Sequence, residues 1–361
     1  MAYQTEPDFR HDQAARTGIL LINLGTPEAP TAQAVRPYLR QFLSDPRVVE
    51  IPRLPWWLIL NFFILPRRPA QSAAKYASIW TPDGSPLAIH TRAMAKLLQG
   101  YMGDAGQQVA VEWAMRYGQP SVASKLMALK EAGCERVLVV PLYPQYAASS
   151  SGSAMDAVAD AIKTLRNPPE IRFIKQFHDA PDYIDTLARR VETHWARNGR
   201  GDHLLMSFHG VPRFSLDKGD PYHCHCHKTA RLLAERLGLP QDRYTVGFQS
   251  RFGRTEWLKP YTSEVLAGLG RKKTGKLDVI CPGFVADCLE TLEEIAIEGK
   301  AEFLTRGGGE FRYIPALNAE PDWIVALSRI VAPHLSGWLT PANAEEAKAR
   351  ASRARLLGAK A

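Results

Sequence analysis

Residues 177–191, FHDAPDYIDTLARRV, return in altered form at residues 317–331 as LNAEPDWIVALSRIV, which supports an internal duplication. Each copy follows the last of four short apolar runs. In the first half these are GILLINLG (18–25), VAVEWAMRYG (109–118), RVLVVPLYP (136–144) and IRFIKQF (171–177). In the second they are HLLMSFHG (203–210), RYTVGFQSR (243–251), KLDVICPGF (276–284) and EFRYIPAL (310–317). Apolar runs of this length read as buried strands, and helix-period stretches such as KTARLLAERLG (228–238) separate them. Parallel strands need right-handed helical crossovers. The expected fold is therefore α/β: two similar Rossmann-like lobes, each a four-stranded parallel sheet flanked by helices, with a cleft between them as the default site. Residues 1–195 form the first lobe and residues 196–333 the second, and residues 334–361 read as a basic helix or tail. An extra span at about 50–90 in the first lobe contains WWLILNFF (56–63) and Arg67 and Arg68; inserted after a strand, it should overhang the site. Arg306 and the three glycines after it precede a strand and read as a turn.

Polar groups gather at two strand ends. The run His203-LLMSFHGVP-Arg213 presents His209. The run Asp278-VICPGFVADCLETLEEIAIEG-Lys300 leads into a helix in which Glu290, Glu294 and Glu298 stand at i, i+4 and i+8, a stripe of carboxylates about 6 Å apart per step. An imidazole facing such a stripe suits chemistry that handles a divalent metal and protons together. The same spacing also describes the solvated face of a surface helix, and a histidine after an apolar strand is ordinarily structural.

Composition narrows the classes. The 361 residues are 45% apolar and 23% charged, as in a soluble two-domain protein. The net charge is +8, but Lys and Arg are scattered rather than striped, so no nucleic-acid partner is expected; an acidic small molecule or an anionic membrane surface remains open. Five cysteines, an odd count, fit a reducing compartment rather than a disulfide framework. The polar, acid-containing N-terminus is not a secretory signal, and the longest apolar block has about ten apolar residues where a bilayer needs about twenty. No G-x-G-x-x-G, Walker A or G-x-S-x-G motif occurs. The tract His223-CHCH-His227 looks like a metal tract, but it is expected in the loop entering the 228–238 helix, and Cys-x-Cys is not the usual Cys-x₂-Cys spacing.

The segments LLINLGTPEAPT, AKYASIWTPDGSPL, PLYPQY, LLMSFHGVP, GDPYHCHCHKTA, VGFQSRFGRTEWLKP and GFVADCLETLEE, in this order over about residues 17 to 330, closely resemble the ferrochelatases, which insert ferrous iron into protoporphyrin IX to make protoheme. The resemblance implies the two-lobed chelatase fold and a porphyrin cleft. It also implies His209 and Glu290 as the catalytic and metal-handling pair, with Glu294 and Glu298 as a proton or metal path. Trp257 and Asp287 match residues beside the macrocycle and the glutamate helix; alternatively, Trp257 is core and Asp287 a helix cap. Arg116 and Tyr117 match a pair lining the porphyrin pocket, Arg68 and Ser85 match propionate contacts, and Tyr76 is a further porphyrin candidate. Protoporphyrin and Fe²⁺ are the implied substrates, with no prosthetic group. Some members carry a [2Fe–2S] cluster on C-terminal cysteines, but the last cysteine here is Cys288, so none is expected. Bacterial members are cytoplasmic and often rest on the inner membrane face. Cys288 stands where mitochondrial members have a histidine, which removes one metal ligand.

The chemistry asks for a base to take two pyrrole protons and for a sparse ligand set that releases iron again, because three or four strong ligands would store it. Two other classes compete: a chelatase for cobalt or nickel in a more carboxylated tetrapyrrole, and a tetrapyrrole carrier without catalysis.

Overall fold

A computed structural model describes residues 3–8, 11–13, 15–253, 255–339 and 344–359. The first half runs β1 (Arg16–Gly25), α1 (Ala32–Leu43), α2 (Arg53–Ile59), α3 (Arg68–Ile79), α4 (Pro86–Asp104), β2 (Val109–Tyr117), α5 (Val122–Glu131), β3 (Cys134–Pro141), α6 (Ser153–Ile162), β4 (Glu170–Phe173) and α7 (Pro181–Asn198). The second runs β5 (His203–His209), α8 (Arg213–Asp217), α9 (Tyr222–Arg236), β6 (Tyr244–Gln249), α10 (Thr262–Arg271), β7 (Lys276–Ile280), α11 (Leu289–Thr291), α12 (Lys300–Thr305), β8 (Glu310–Ile314) and α13 (Pro321–Val331), and α14 (Ala344–Leu356) follows. Among the described residues the strands form two parallel sheets with the same permuted order, β2-β1-β3-β4 and β6-β5-β7-β8. The duplicated segments are α7 and α13, each with Pro in its first turn, where the missing N–H costs nothing.

The central strands carry near-continuous apolar runs because both faces are covered; Ile19 to Ile22 of β1 are fully buried. Alternation along each strand sorts the side chains into layers. Leu20 and Ile22 meet α5 and α6, and Leu205, Leu277 and Val279 meet α10 and α12. Ile19, Leu21, Leu204, Met206 and Phe208 enter one core with α4, α7, α9 and α13. A middle layer of helices is thus shared by both sheets. The last helix of each half packs on the other half's side. Helix α7 contacts β8, and its Arg190 donates to the carbonyls of Pro315 and Ala316 at 3.1 and 3.2 Å. Helix α13 lies on α4, and beyond it the Trp338 carbonyl accepts from the Thr17 hydroxyl at 3.1 Å.

Two local expectations are corrected. The 223–227 tract lies inside α9 rather than in a loop: Asp220 accepts from the Tyr222 amide at 3.0 Å and Pro221 precedes the first helical residue, a start signal several residues earlier than the apolar period suggested. The carboxylate helix is not α-helical along its length. Only Leu289–Thr291 is; Leu292–Gly299 is a π-helical segment with i→i+5 bonds, and the acids expected in one stripe take different partners, Glu294 with Ser250 and Glu298 with Lys75. No described helix is long and apolar enough to cross a membrane.

Candidate active site

His209 ends β5, at the carboxyl edge of a central strand, where open α/β sheets place ligands. Its Nδ1 lies 2.6 Å from the Gly210 carbonyl, which can only accept. The proton of the neutral ring is therefore on Nδ1, and Nε2 keeps a lone pair. The Tyr222 hydroxyl donates to the His209 carbonyl at 2.9 Å. The imidazole sits 6.5 Å from the Trp257 ring and 6.4 Å from Phe284, centroid to centroid. Gly210 is required by space: a Cβ there would lie 2.7 Å from the Gln249 carbonyl and 3.1 Å from the Trp257 ring. Trp257 is held by a bridge to Pro212, and its indole N–H is buried without a partner.

Gln249 is level with His209 on the neighbouring strand and bonds that strand's end to the acidic segment. Its amide nitrogen donates to the Glu290 carbonyl at 2.7 Å and to the Glu294 carboxylate at 3.3 Å, while its oxygen accepts from Ser207 at 2.7 Å. Glu294 also accepts from the Ser250 amide at 2.6 Å and from the Ser250 hydroxyl. Ser250 adopts φ 65°, a left-handed conformation that aims both donors at one carboxylate. The Glu290 carboxyl lies beside the Cys288 thiol, and burial first, then Glu290, push that thiol's pKa well up.

The first lobe supplies an aromatic wall. Burial, then neighbouring charge that includes Glu290, raises the pKa of Tyr38, Tyr76 and Tyr143, so Glu290 faces a set of neutral phenols. Tyr76 packs edge-on to Tyr38 and Trp80 at 6.3 and 6.2 Å. Arg68, at the start of α3, lies 4.6 Å over the Phe252 ring; its Nη1 is buried without a partner, and burial lowers its pKa. Ser85 is buried at the N-cap of α4 and makes no side-chain cap bond.

Other expected residues are engaged elsewhere. The Arg116 guanidinium and the fully buried Tyr117 hydroxyl both donate to Asp45, at 2.6 and 2.7 Å, and Ser153 joins them. Burial opposes ionisation of Asp45, but the Ser153 and Tyr117 hydroxyls outweigh it and hold its pKa low. Asp287 does not cap the helix through backbone amides. It accepts from Tyr313 at 2.6 Å, Asn318 at 2.7 Å and Thr291 at 3.0 Å, an anchor for the strand-to-helix turn. Glu298 sits half-exposed with Lys75 of α3, which also holds Glu293; the two contacts are 2.8 and 2.9 Å. Gln249, Ser250, Lys75 and Glu293 are the residues that sequence reasoning missed. A surface groove of ≈ 590 Å³ along α4 and β2 shares no residue with this site.

The family model described as Ferrochelatase matches residues 16–335. Ferrochelatases of Chromobacterium violaceum and Azoarcus sp. are 63% and 60% identical to the chain, and each match covers at least 98% of both proteins. Among solved structures, SirB from Bacillus subtilis with Fe³⁺ is similar at a TM-score of 0.52 and 13% identity, covering 90% of this chain and 98% of that one; this likeness concerns the fold alone. With the family model matched along both lobes and full-length relatives of this identity, the chain belongs to the ferrochelatase family.

Proposed function

We propose that the protein inserts ferrous iron into protoporphyrin IX to form protoheme, with His209 and Glu290 as the acting pair. The observation that carries this reading is the meeting of two elements at one strand end: His209, whose Nε2 keeps a lone pair, and the acidic segment, whose Glu290 main-chain carbonyl and Glu294 carboxylate accept from Gln249 on the strand beside His209, with no cluster of three strong ligands among the described residues to retain the ion. Nε2 accepts a pyrrole proton, or holds the entering ion while it sheds water, and the glutamate carries the proton onward. Arg68 supports the porphyrin's orientation, since a buried guanidinium nitrogen without a partner suits a propionate. Glu294, clamped by Ser250, follows Glu290 on the same segment as the next carboxyl of the path for protons or metal.

The test is anaerobic mixing of protoporphyrin with Fe²⁺, or with Zn²⁺ as surrogate. The free-base absorption bands should vanish far faster than without protein, and His209→Ala and Glu290→Ala should each lose at least about 100-fold in rate while porphyrin fluorescence still reports binding. Binding without acceleration would leave a carrier, and turnover confined to carboxylate-rich tetrapyrroles would redirect the assignment to another chelatase.

The inserted span supports shallow contact with an anionic membrane surface. Leu54, Trp57, Phe62 and Phe63 are 73%, 55%, 61% and 62% exposed, beside Arg53 and Arg67. Replacing Phe62 and Phe63 together by Ser should weaken sedimentation with phosphatidylglycerol-containing vesicles at least about tenfold, and an unchanged bound fraction would remove the membrane from this reading.

A further inference from the structure

The tract His223-Cys224-His225-Cys226-His227 takes no part in the chemistry above. As the first turns of α9, it splays its side chains in different directions. Cys226 is fully buried and Cys224 is exposed, so the two thiols do not share one ion. His225 stacks on His178 with centroids 3.8 Å apart. His223 and His227, one turn apart, instead come together with centroids 4.4 Å apart and ring planes at 51°.

That separation suits a shared metal. With metal–nitrogen bonds of about 2.0–2.1 Å, two imidazoles meeting at roughly a right angle on one ion place their centroids about 4.5 Å apart. Among the described residues neither ring takes part in a hydrogen bond.

The pair is also distinct from the iron-handling residues. Phe208 and Phe248 are level with one another on β5 and β6, and both rings of the pair lie against Phe248, at 5.9 and 6.0 Å. His209 and Gln249 come one residue later on the same strands, and the pleat sends them to the other face of the sheet.

The geometry points to a second metal site: His223 and His227 chelate one divalent ion of the Cu²⁺, Ni²⁺ or Zn²⁺ class, with water completing its shell. Two imidazoles and no carboxylate favour borderline transition metals over Mg²⁺ or Ca²⁺, and the Irving–Williams order places Fe²⁺ below Ni²⁺ and Cu²⁺. Among the described residues no third protein ligand joins them, so the ion exchanges readily.

Ni²⁺ alone is the probe, added to the full chain carrying C224S and H209A so that neither the exposed thiol nor the iron-handling imidazole contributes. Calorimetric titration should show one Ni²⁺ per chain. H227A, which changes an exposed side chain, and H223A should each weaken it at least about tenfold with unchanged far-ultraviolet circular dichroism. The electron paramagnetic resonance of bound Cu²⁺ should show coupling to two imidazole nitrogens, falling to one in H227A. Undiminished Ni²⁺ affinity in both histidine variants overturns the site. So does binding seen only while Cys224 is present, which would assign the ion to the thiol.

Discussion

The tautomer of His209 is set by its neighbour: the Gly210 carbonyl accepts a hydrogen bond from Nδ1–H, which leaves the lone pair of the neutral ring on Nε2. His178 shows the same residue type under opposite control. It is 3% exposed, stacks on His225, and has an Nδ1 without a partner. Burial, then the His225 ring, lowers its pKa from 6.5 to about 4. An unfolded chain takes up this proton near pH 6.5, and the folded one resists until about pH 4, so folding stability falls as pH drops through that window, by up to about 3 kcal/mol. His178→Gln should flatten the decline. Urea unfolding at pH 7, 5.5 and 4.5 measures it, and equal pH slopes in the two proteins would clear His178 of the titration. The place of His209 at a strand end was legible in the sequence, because the apolar run before it is a local signal. The ties of Asp45 to Arg116 and Tyr117 were not, because the partners lie 71 and 72 residues apart and no local period records them.

At the scale of elements, the π-helical segment alters which acids meet. In an α-helix, residues five apart point roughly 140° away from each other. With i→i+5 bonding the winding slackens to about 4.4 residues per turn and brings them within about 50° of each other, and Glu293 and Glu298 both reach the Lys75 ammonium. Sequence spacing, read at the α period, grouped Glu298 with Glu294 instead; the number of acids was legible, but their partners depended on a winding that no residue type in ETLEEIAIEG announces. Lys75 ties α3, which carries Arg68 and Tyr76, to the segment carrying Glu294. Its loss leaves Glu293, whose side chain is 10% exposed, without its counter-ion. Burial already holds Glu293 above the usual carboxylate range, so the cost of charging it appears as pH rises through that raised pKa. Lys75→Met should cost roughly 1–3 kcal/mol at pH 7 and less near pH 4, discounted because Lys75 is partly exposed. Adding Glu293→Gln should recover most of the loss. A penalty that is the same at both pH values, or that Glu293→Gln deepens, would show that the ion pair is not what joins these elements.

At the scale of the whole molecule, the duplication predicted two four-stranded parallel sheets, because apolar runs of strand length are a local signal; the strand order that both sheets share came only with the structure. How the halves join was illegible, since nothing in the pattern of α7 or α13 says which sheet each will cover. The joining has an energetic consequence. Met94, Leu98 and Met102 of α4 share one core with Leu187 and Val191 of α7, Leu233 of α9, and Trp323, Leu327 and Val331 of α13. Cutting the chain at the lobe boundary strips α13 from α4 and takes β8 and α9 away from α7, exposing apolar faces on both fragments. Each large side chain so uncovered forfeits about 1.5–3 kcal/mol, and a handful is as large as the roughly 5–15 kcal/mol by which a folded domain is stable. The two lobes should therefore unfold together. Calorimetry of the full chain should give one main transition that coincides with the loss of tryptophan fluorescence, and a fragment ending at residue 195 should retain helical circular dichroism without protecting β1 amides from hydrogen exchange. Two resolved transitions, or a protected β1 in the isolated fragment, would mean that the shared helical layer is a contact between independent domains rather than a common core.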